Sequence, residues 1–376
     1  MHITPFYRPS IGGVEYIVYH TAKELSRRGY EIHVVTTCCD NRWRKIAELG
    51  TVIEENIVIH RLEPSFIKVG YATIMKGLKK ALQNIKPDIV HCHNLHPHLF
   101  QTMKWKNEIE YKLIAQLHFP IATGIDHFSA KLLLRFVMWK LAREQQKVNA
   151  FIAHTNLEKQ WLVSEGIRNE IYIIRYPCVP DELFNYEPEI DIHDRLGAST
   201  VITYISRIHP RKGQHLLLEA TKYLKRELRD FKIYIAGPTS DHAYLLHLKK
   251  LINVDGLEQL VIIEPRALNE HEKLDAITTA DIFACTPIQD IHPIVLLEAM
   301  ALGTPIVTTA IGAISEIVKL NEVLVRNLHA EAVAKRIIHV LNTKNSIIQK
   351  LRAIAEARRC SQIVEDLINL YNKILQ

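Results

Sequence analysis

Residues Thr286 to Thr309 read Thr-Pro-Ile-Gln-Asp-Ile-His-Pro-Ile-Val-Leu-Leu-Glu-Ala-Met-Ala-Leu-Gly-Thr-Pro-Ile-Val-Thr-Thr. A polar loop runs into a short apolar helix, which stops at Gly303 and resumes as a β-branched strand. Two carboxylates, Asp290 and Glu298, stand eight positions apart across the loop and the helix. A helix start offers free backbone N–H groups and a partial positive charge, which suits a phosphate. A carboxylate one or two turns further in accepts hydrogen bonds from sugar hydroxyls. The stretch therefore reads as a pocket for a phosphorylated sugar. A helix N-terminus with an incidental acid is the plainer alternative.

Upstream lies Tyr204-Ile205-Ser206-Arg207-Ile208-His209-Pro210-Arg211-Lys212-Gly213. The apolar run Val201 to Ile205 delivers Arg207 at a strand end, and Pro210 and Gly213 shape a loop that returns Lys212 before a helix starting near Gln214. A planar guanidinium and an ammonium at this spacing suit a diphosphate. A solvated basic loop is the alternative for this segment alone.

With both segments in view, the chain resembles the family-4 retaining glycosyltransferases of the GT-B fold. That family has a Gly-Arg-Leu-x-x-x-Lys-Gly loop for the donor diphosphate, then a Glu-x7-Glu segment and Ala-Met-Ala-x-Gly-x-Pro-Val-Val for sugar and ribose. Pro9 to Glu15, Pro87 to Asn94, the loop at His118, and Gly312 to Val318 agree in the family's order, so the likeness runs from about residue 1 to 342. It implies an α/β protein of two Rossmann-like, doubly wound parallel-sheet domains facing a central cleft. Residues 1–180 would form the acceptor-side domain and 181–360 the nucleotide-sugar domain, while 361–376 would cross back to the first as a helix.

The activity implied is transfer of a hexosyl group from a nucleoside diphosphate sugar to an acceptor hydroxyl, on a glycan, a lipid-linked acceptor or a small molecule, with retention of configuration. No cofactor and no metal would be needed. On this resemblance the catalytic set is His118, Arg207, Lys212 and Asp290. Arg207 and Lys212 would stabilise the departing diphosphate, helped by backbone N–H groups at Gly12 and Gly13. Glu298 would hold ribose, Asp290 the hexose, the backbone of Ile294 and Val295 the phosphate or sugar, and Arg266 the nucleotide. His118, after a strand at Leu113–Leu117, would face the reacting sugar. The chief departure is Asp290, where the family has glutamate, followed by Ile291-His292-Pro293 in place of a pair such as Gly-Phe. Tyr176-Pro177-Cys178 also replaces the usual Pro-Asn-Gly. Two rivals follow from these departures and from the fold: a catalytically degenerate, sugar-nucleotide-binding partner subunit, and a nucleotide-sugar epimerase.

Composition agrees with a two-domain soluble globular protein. The 376 residues suffice for two cores, and 48% hydrophobic with 23% charged content is ordinary for a globular protein. No apolar run is long enough to span a bilayer and no signal-peptide pattern opens the chain, so a cytoplasmic location is expected. The net charge of +6 favours anionic partners, a nucleotide sugar first and an anionic membrane surface second. Nucleic acid is disfavoured, because no basic run of five appears. Six scattered cysteines without Cys-x-x-Cys indicate neither a disulfide framework nor a zinc ribbon.

Strand–helix alternation is read in both halves, with the join between Pro177 and Gly197 and an all-helical end after Val325. Met1 to Thr4 is short for a first central strand, where relatives usually carry a few more residues. His91, His93, His96 and His98 invite a zinc reading, which the resemblance outweighs because the family has His-x-His-Asn without metal. Ser129 to Lys147 reads as a basic amphipathic helix, for which core packing is favoured over an anionic bilayer, although different faces can serve both.

Overall fold

The computed structural model describes residues 1–40, 42–66, 73–118, 128–290 and 293–376. The chain forms two compact units, Met1–Cys178 together with Cys360–Gln376, and Val179–Arg359.

Among the described residues the first unit holds ten strands: β1 (His2–Ile3), β2 (Ile32–Thr37), β3 (Gly50–Glu54), β4 (Ile57–Leu62), β5 (Pro64–Phe66), β6 (Thr73–Met75), β7 (Ile89–His93), β8 (Lys112–Gln116), β9 (Ala150–Ala153) and β10 (Ile171–Ile173). Eight of them make one sheet in the order β10-β9-β8-β7-β1-β2-β4-β3. Every pairing in it is parallel except the β3–β4 hairpin. Strand order reverses between β1 and β7, so the loops at their carboxyl ends open the crevice where α/β proteins bind ligands. One core layer contains Ile17, Val34 and Ile152 with Ile363 and Leu367 from the last helix, Cys360–Leu375. The other contains Val90, Leu99, Leu113, Met138 and Leu141.

The second unit holds β11 (Thr200–Ile205), β12 (Phe231–Ala236), β13 (Val261–Glu264), β14 (Ile282–Cys285), β15 (Ile306–Thr309) and β16 (Leu324–Val325). All are parallel, in the order β13-β12-β11-β14-β15-β16. These strands are Val- and Ile-rich because both faces are covered. Here the order reverses between β11 and β14. The two segments that dominate the sequence reading follow these two strands.

Three differences from the sequence expectations have physical causes. The hairpin β3–β4 is missing from the sequence reading because β3 is exposed along its whole length and carries no buried alternation. Its turn, Glu55-Asn56, reaches positive φ at 50° and 62° without a glycine to mark it. The segment Leu324–Val325 forms a short edge strand. Third, a buried disulfide joins Cys178 to Cys360, where the scattered cysteines indicate no disulfide framework. The partners are 182 residues apart, so no local spacing could reveal them; the last helix brings Cys360 to the end of the first segment. The urea-unfolded, unreduced protein should therefore show four reactive thiols, Cys38, Cys39, Cys92 and Cys285, rising to six after reduction. Six before reduction would exclude the bond.

Candidate functional site

The loop after β11 turns through a short 3₁₀ segment, Pro210–Lys212, in which His209 Nδ1 accepts the Arg211 N–H at 3.1 Å. It is stapled to the loop after β14. Thr286 Oγ1 donates to the Gly213 carbonyl at 2.9 Å, and the N–H groups of Ile288 and Gln289 reach the Arg211 carbonyl at 2.9 and 3.1 Å. The buried Tyr204 hydroxyl joins the two, donating to the Lys212 carbonyl and accepting the Thr286 N–H at 3.1 Å. Gly213 permits this approach: at φ 69° a Cβ there would lie 2.1 Å from the Thr286 carbonyl oxygen.

The staples bring Lys212 and Asp290 together, with Nζ and Oδ2 at 2.5 Å. Asp290 is braced from below, since a Cβ on Gly312 would sit 2.5 Å from its carbonyl oxygen. Arg207 stands exposed beside this pair's loop, its carbonyl held by Gln214 Nε2 at 2.9 Å. One carboxylate thus occupies the ammonium that the sequence reading gives to a diphosphate.

Glu298 lies in the helix Ile294–Leu302, which is apolar all round because it is buried against the sheet. The carboxylate is only 2% exposed, and Oε1 accepts from Lys273 Nζ at 3.0 Å. Burial works to lower the Lys273 pKa, but the Glu298 and Glu270 carboxylates outweigh it and the net shift is upward. Oε2 of Glu298 is buried with no hydrogen-bond partner among the described residues. An unsatisfied buried acceptor costs about 1–3 kcal/mol, so this oxygen is poised to take a donor. Pro293 supplies no side-chain cap to this helix, which leaves Ile294 and Val295 N–H groups among its first-turn donors. Ile291 and His292 lie outside the described residues.

Arg266 is drawn elsewhere. Its guanidinium holds Glu272 at 2.7 and 2.8 Å and Glu264 at 2.5 Å. The Arg266 hydrogen bond brings the Glu272 carboxyl down to about 2. Contact with a nucleotide would require this surface cluster to open.

In the first unit, Gly12 immediately precedes the helix Gly13–Arg27. Its φ of −171° needs no glycine, and a Cβ there would meet only the tip of the Glu15 side chain, Oε2 at 2.3 Å. The buried Glu15 carboxylate accepts from Ser10 Oγ at 3.1 Å and complements the helix start itself. A phosphate approaching Gly12 and Gly13 would meet that charge.

His118 adopts a left-handed φ of 54°, a strained conformation of a kind that collects at functional sites. Its Nε2 pairs with His93 Nδ1 at 3.1 Å, and His93 Nε2 pairs with His2 Nδ1 at 3.0 Å. Burial holds the His93 and His2 pKa values well below the usual histidine range, so both rings stay neutral. A neutral imidazole has one donor and one acceptor nitrogen, so the proton positions of His2, His93 and His118 are coupled along the chain. Sequence reasoning missed His2, because only strand pairing places it opposite His91.

The pairing also revises the zinc alternative. Among the described residues the metal-capable group is His2, His91 and His93, with ligand atoms within 4.8 Å of one another, and it contains neither His96 nor His98. His98 Nε2 instead donates to the His93 carbonyl at 2.8 Å. Two of its nitrogens already bond each other, so an ion there would have to displace that hydrogen bond.

Two units built on mainly parallel sheets, each with a topological switch point, are the architecture of the GT-B fold. Comparison with known proteins agrees. Residues 11–182 match the Glycosyltransferase Family 4 model and residues 187–359 the Glycosyl transferases group 1 model. The chain belongs to these group 1 glycosyltransferases. It is 24% identical to N-acetyl-alpha-D-glucosaminyl L-malate synthase of Bacillus anthracis, covering 83% of this chain and 79% of that one. It is 23% identical to D-inositol 3-phosphate glycosyltransferase of Mycolicibacterium smegmatis, covering 84% and 75%. Among solved structures, Anabaena HepE in complex with UDP superposes with a TM-score of 0.78 at 18% identity, covering 99% of each chain.

Proposed function

We propose that this glycosyltransferase moves a hexosyl group from a nucleoside diphosphate sugar to an acceptor hydroxyl with retention of configuration and without a divalent metal. The observation that carries the donor assignment is the open, buried Oε2 of Glu298. A ribose hydroxyl is a donor of the right kind for it. A UDP-sugar is the favoured donor, supported by the HepE structures with UDP and with UDP-glucose.

In the reaction the bond from the anomeric carbon to the diphosphate oxygen breaks as the acceptor oxygen bonds the same carbon on the same face. The acceptor proton passes to the departing phosphate. Lys212 and Arg207 supply the positive charge that this leaving group demands, which removes the need for a metal ion. Asp290, released by Lys212, receives hexose hydroxyls. The N–H groups of Ile294 and Val295 assist the phosphate or sugar, and His118 hydrogen-bonds a hydroxyl.

A binding-only partner subunit is the second reading, favoured by the Lys212–Asp290 pair that occupies the cation. A thermal-shift panel of UDP-, GDP- and ADP-sugars should single out one donor class by preferential stabilisation. Incubation with that donor and acceptor hydroxyl compounds should then release nucleotide in step with a new α- or β-linkage matching the donor's. Stabilisation with no product under any acceptor would favour the subunit reading. Conversion of the sugar without an acceptor would mark an epimerase, and inversion of the linkage would overturn the proposed route.

A further inference from the structure

The helix Phe128–Glu144 has two apolar faces. Met138 and Leu141 are fully buried in the first unit's core, with Leu134 packed against them. The opposite side exposes Leu132 at 59%, Phe136 at 57% and Trp139 at 52%, large side chains that a water-facing helix normally avoids. At 100° per residue these three lie within one narrow stripe, and Arg143 falls in it too. Lys131 and Arg135 border the stripe on one side and Lys140 on the other, all exposed. Phe136 and Trp139 stack with centroids 5.8 Å apart, and the Arg143 guanidinium covers the Trp139 ring at 4.9 Å. The helix's acid, Glu144, is turned to Lys147 at 2.8 Å.

We propose that this face is a docking surface for an anionic lipid bilayer. An apolar, aromatic stripe bordered by cations on both sides is what an interfacial helix needs: ring and aliphatic groups enter the headgroup boundary while the long basic side chains meet lipid phosphates. Self-association fits it poorly. A two-fold pairing would set the cation rims of one copy against those of its partner, a like-charge contact with no acid on this stripe to relieve it. The inference stands apart from the donor reading, since no donor residue lies on the helix.

Sedimentation of the full chain with phosphatidylcholine vesicles, with and without phosphatidylglycerol, tests it. Binding should require the anionic lipid and weaken as salt rises. It should fall about tenfold or more in Phe136→Ser/Trp139→Ser and in Lys131→Glu/Arg135→Glu, because both insertion and charge contribute. Each variant should keep the wild-type thermal midpoint and nucleotide-sugar response, which separates lost docking from lost folding. Absence of wild-type binding, or undiminished binding by both variants, would overturn the proposal. So would a dimer in light scattering that Phe136→Ser/Trp139→Ser dissolves, since the face would then belong to a second copy.

Discussion

Replacing Lys212 by alanine is expected to lower kcat by about ten- to a thousand-fold with the fold intact, the loss typical of removing one donor that stabilises developing charge. Arg207→Ala should fall in the same range but nearer its lower end. The difference comes from what each cation leaves behind. Arg207 stands exposed, so water replaces it readily. Lys212 holds Asp290 at 2.5 Å, and its removal leaves a carboxylate beside the phosphate position. That charge repels the donor in addition to the charge stabilisation already lost. The double variant Lys212→Ala/Asp290→Asn should therefore bind nucleotide sugar better than Lys212→Ala, even while kcat stays low. Steady-state kinetics with calorimetric donor binding decide the matter. Wild-type turnover in both single variants would place the diphosphate elsewhere on the protein.

Much of this site is legible from sequence because α/β proteins put chemistry at strand ends. The runs Val201 to Ile205 and Ile282 to Cys285 read as buried parallel strands, so their following loops could be marked as ligand loops before any pairing was known. What stayed hidden depends on contacts between distant segments. Lys273 meets Glu298 from 25 positions upstream without any motif linking them. His2 enters the His118 chain only through the register of β1 on β7. The Cys178–Cys360 bond and the Lys212–Asp290 pair are likewise products of tertiary closure. The Glu15 carboxylate beside Gly12 likewise carries no mark in the sequence pattern.

Gly213→Ala tests whether the two loops must touch for the site to exist. The left-handed φ of 69° alone would cost an alanine about 1–2 kcal/mol. The decisive term is contact: its Cβ would lie 2.1 Å from the Thr286 carbonyl oxygen, a backbone atom that cannot swing away as a side chain would. Relief requires the loops after β11 and β14 to separate, which breaks the Thr286–Gly213 bond at 2.9 Å and moves Lys212 relative to Asp290. Gly256 supplies the control, because its φ of 60° carries the same conformational penalty while nothing lies within 4 Å of its Cβ position. Urea unfolding should therefore show Gly213→Ala less stable than Gly256→Ala by about 1–3 kcal/mol, the range for overpacking a tight contact. Turnover should drop about a hundredfold in Gly213→Ala, as a displacement near 1 Å of a positioning group commonly does, and stay near wild type in Gly256→Ala. Equal stability and equal turnover in the two variants would mean that the loops are not stapled as described, and with that the cation and the carboxylate would lose their common frame.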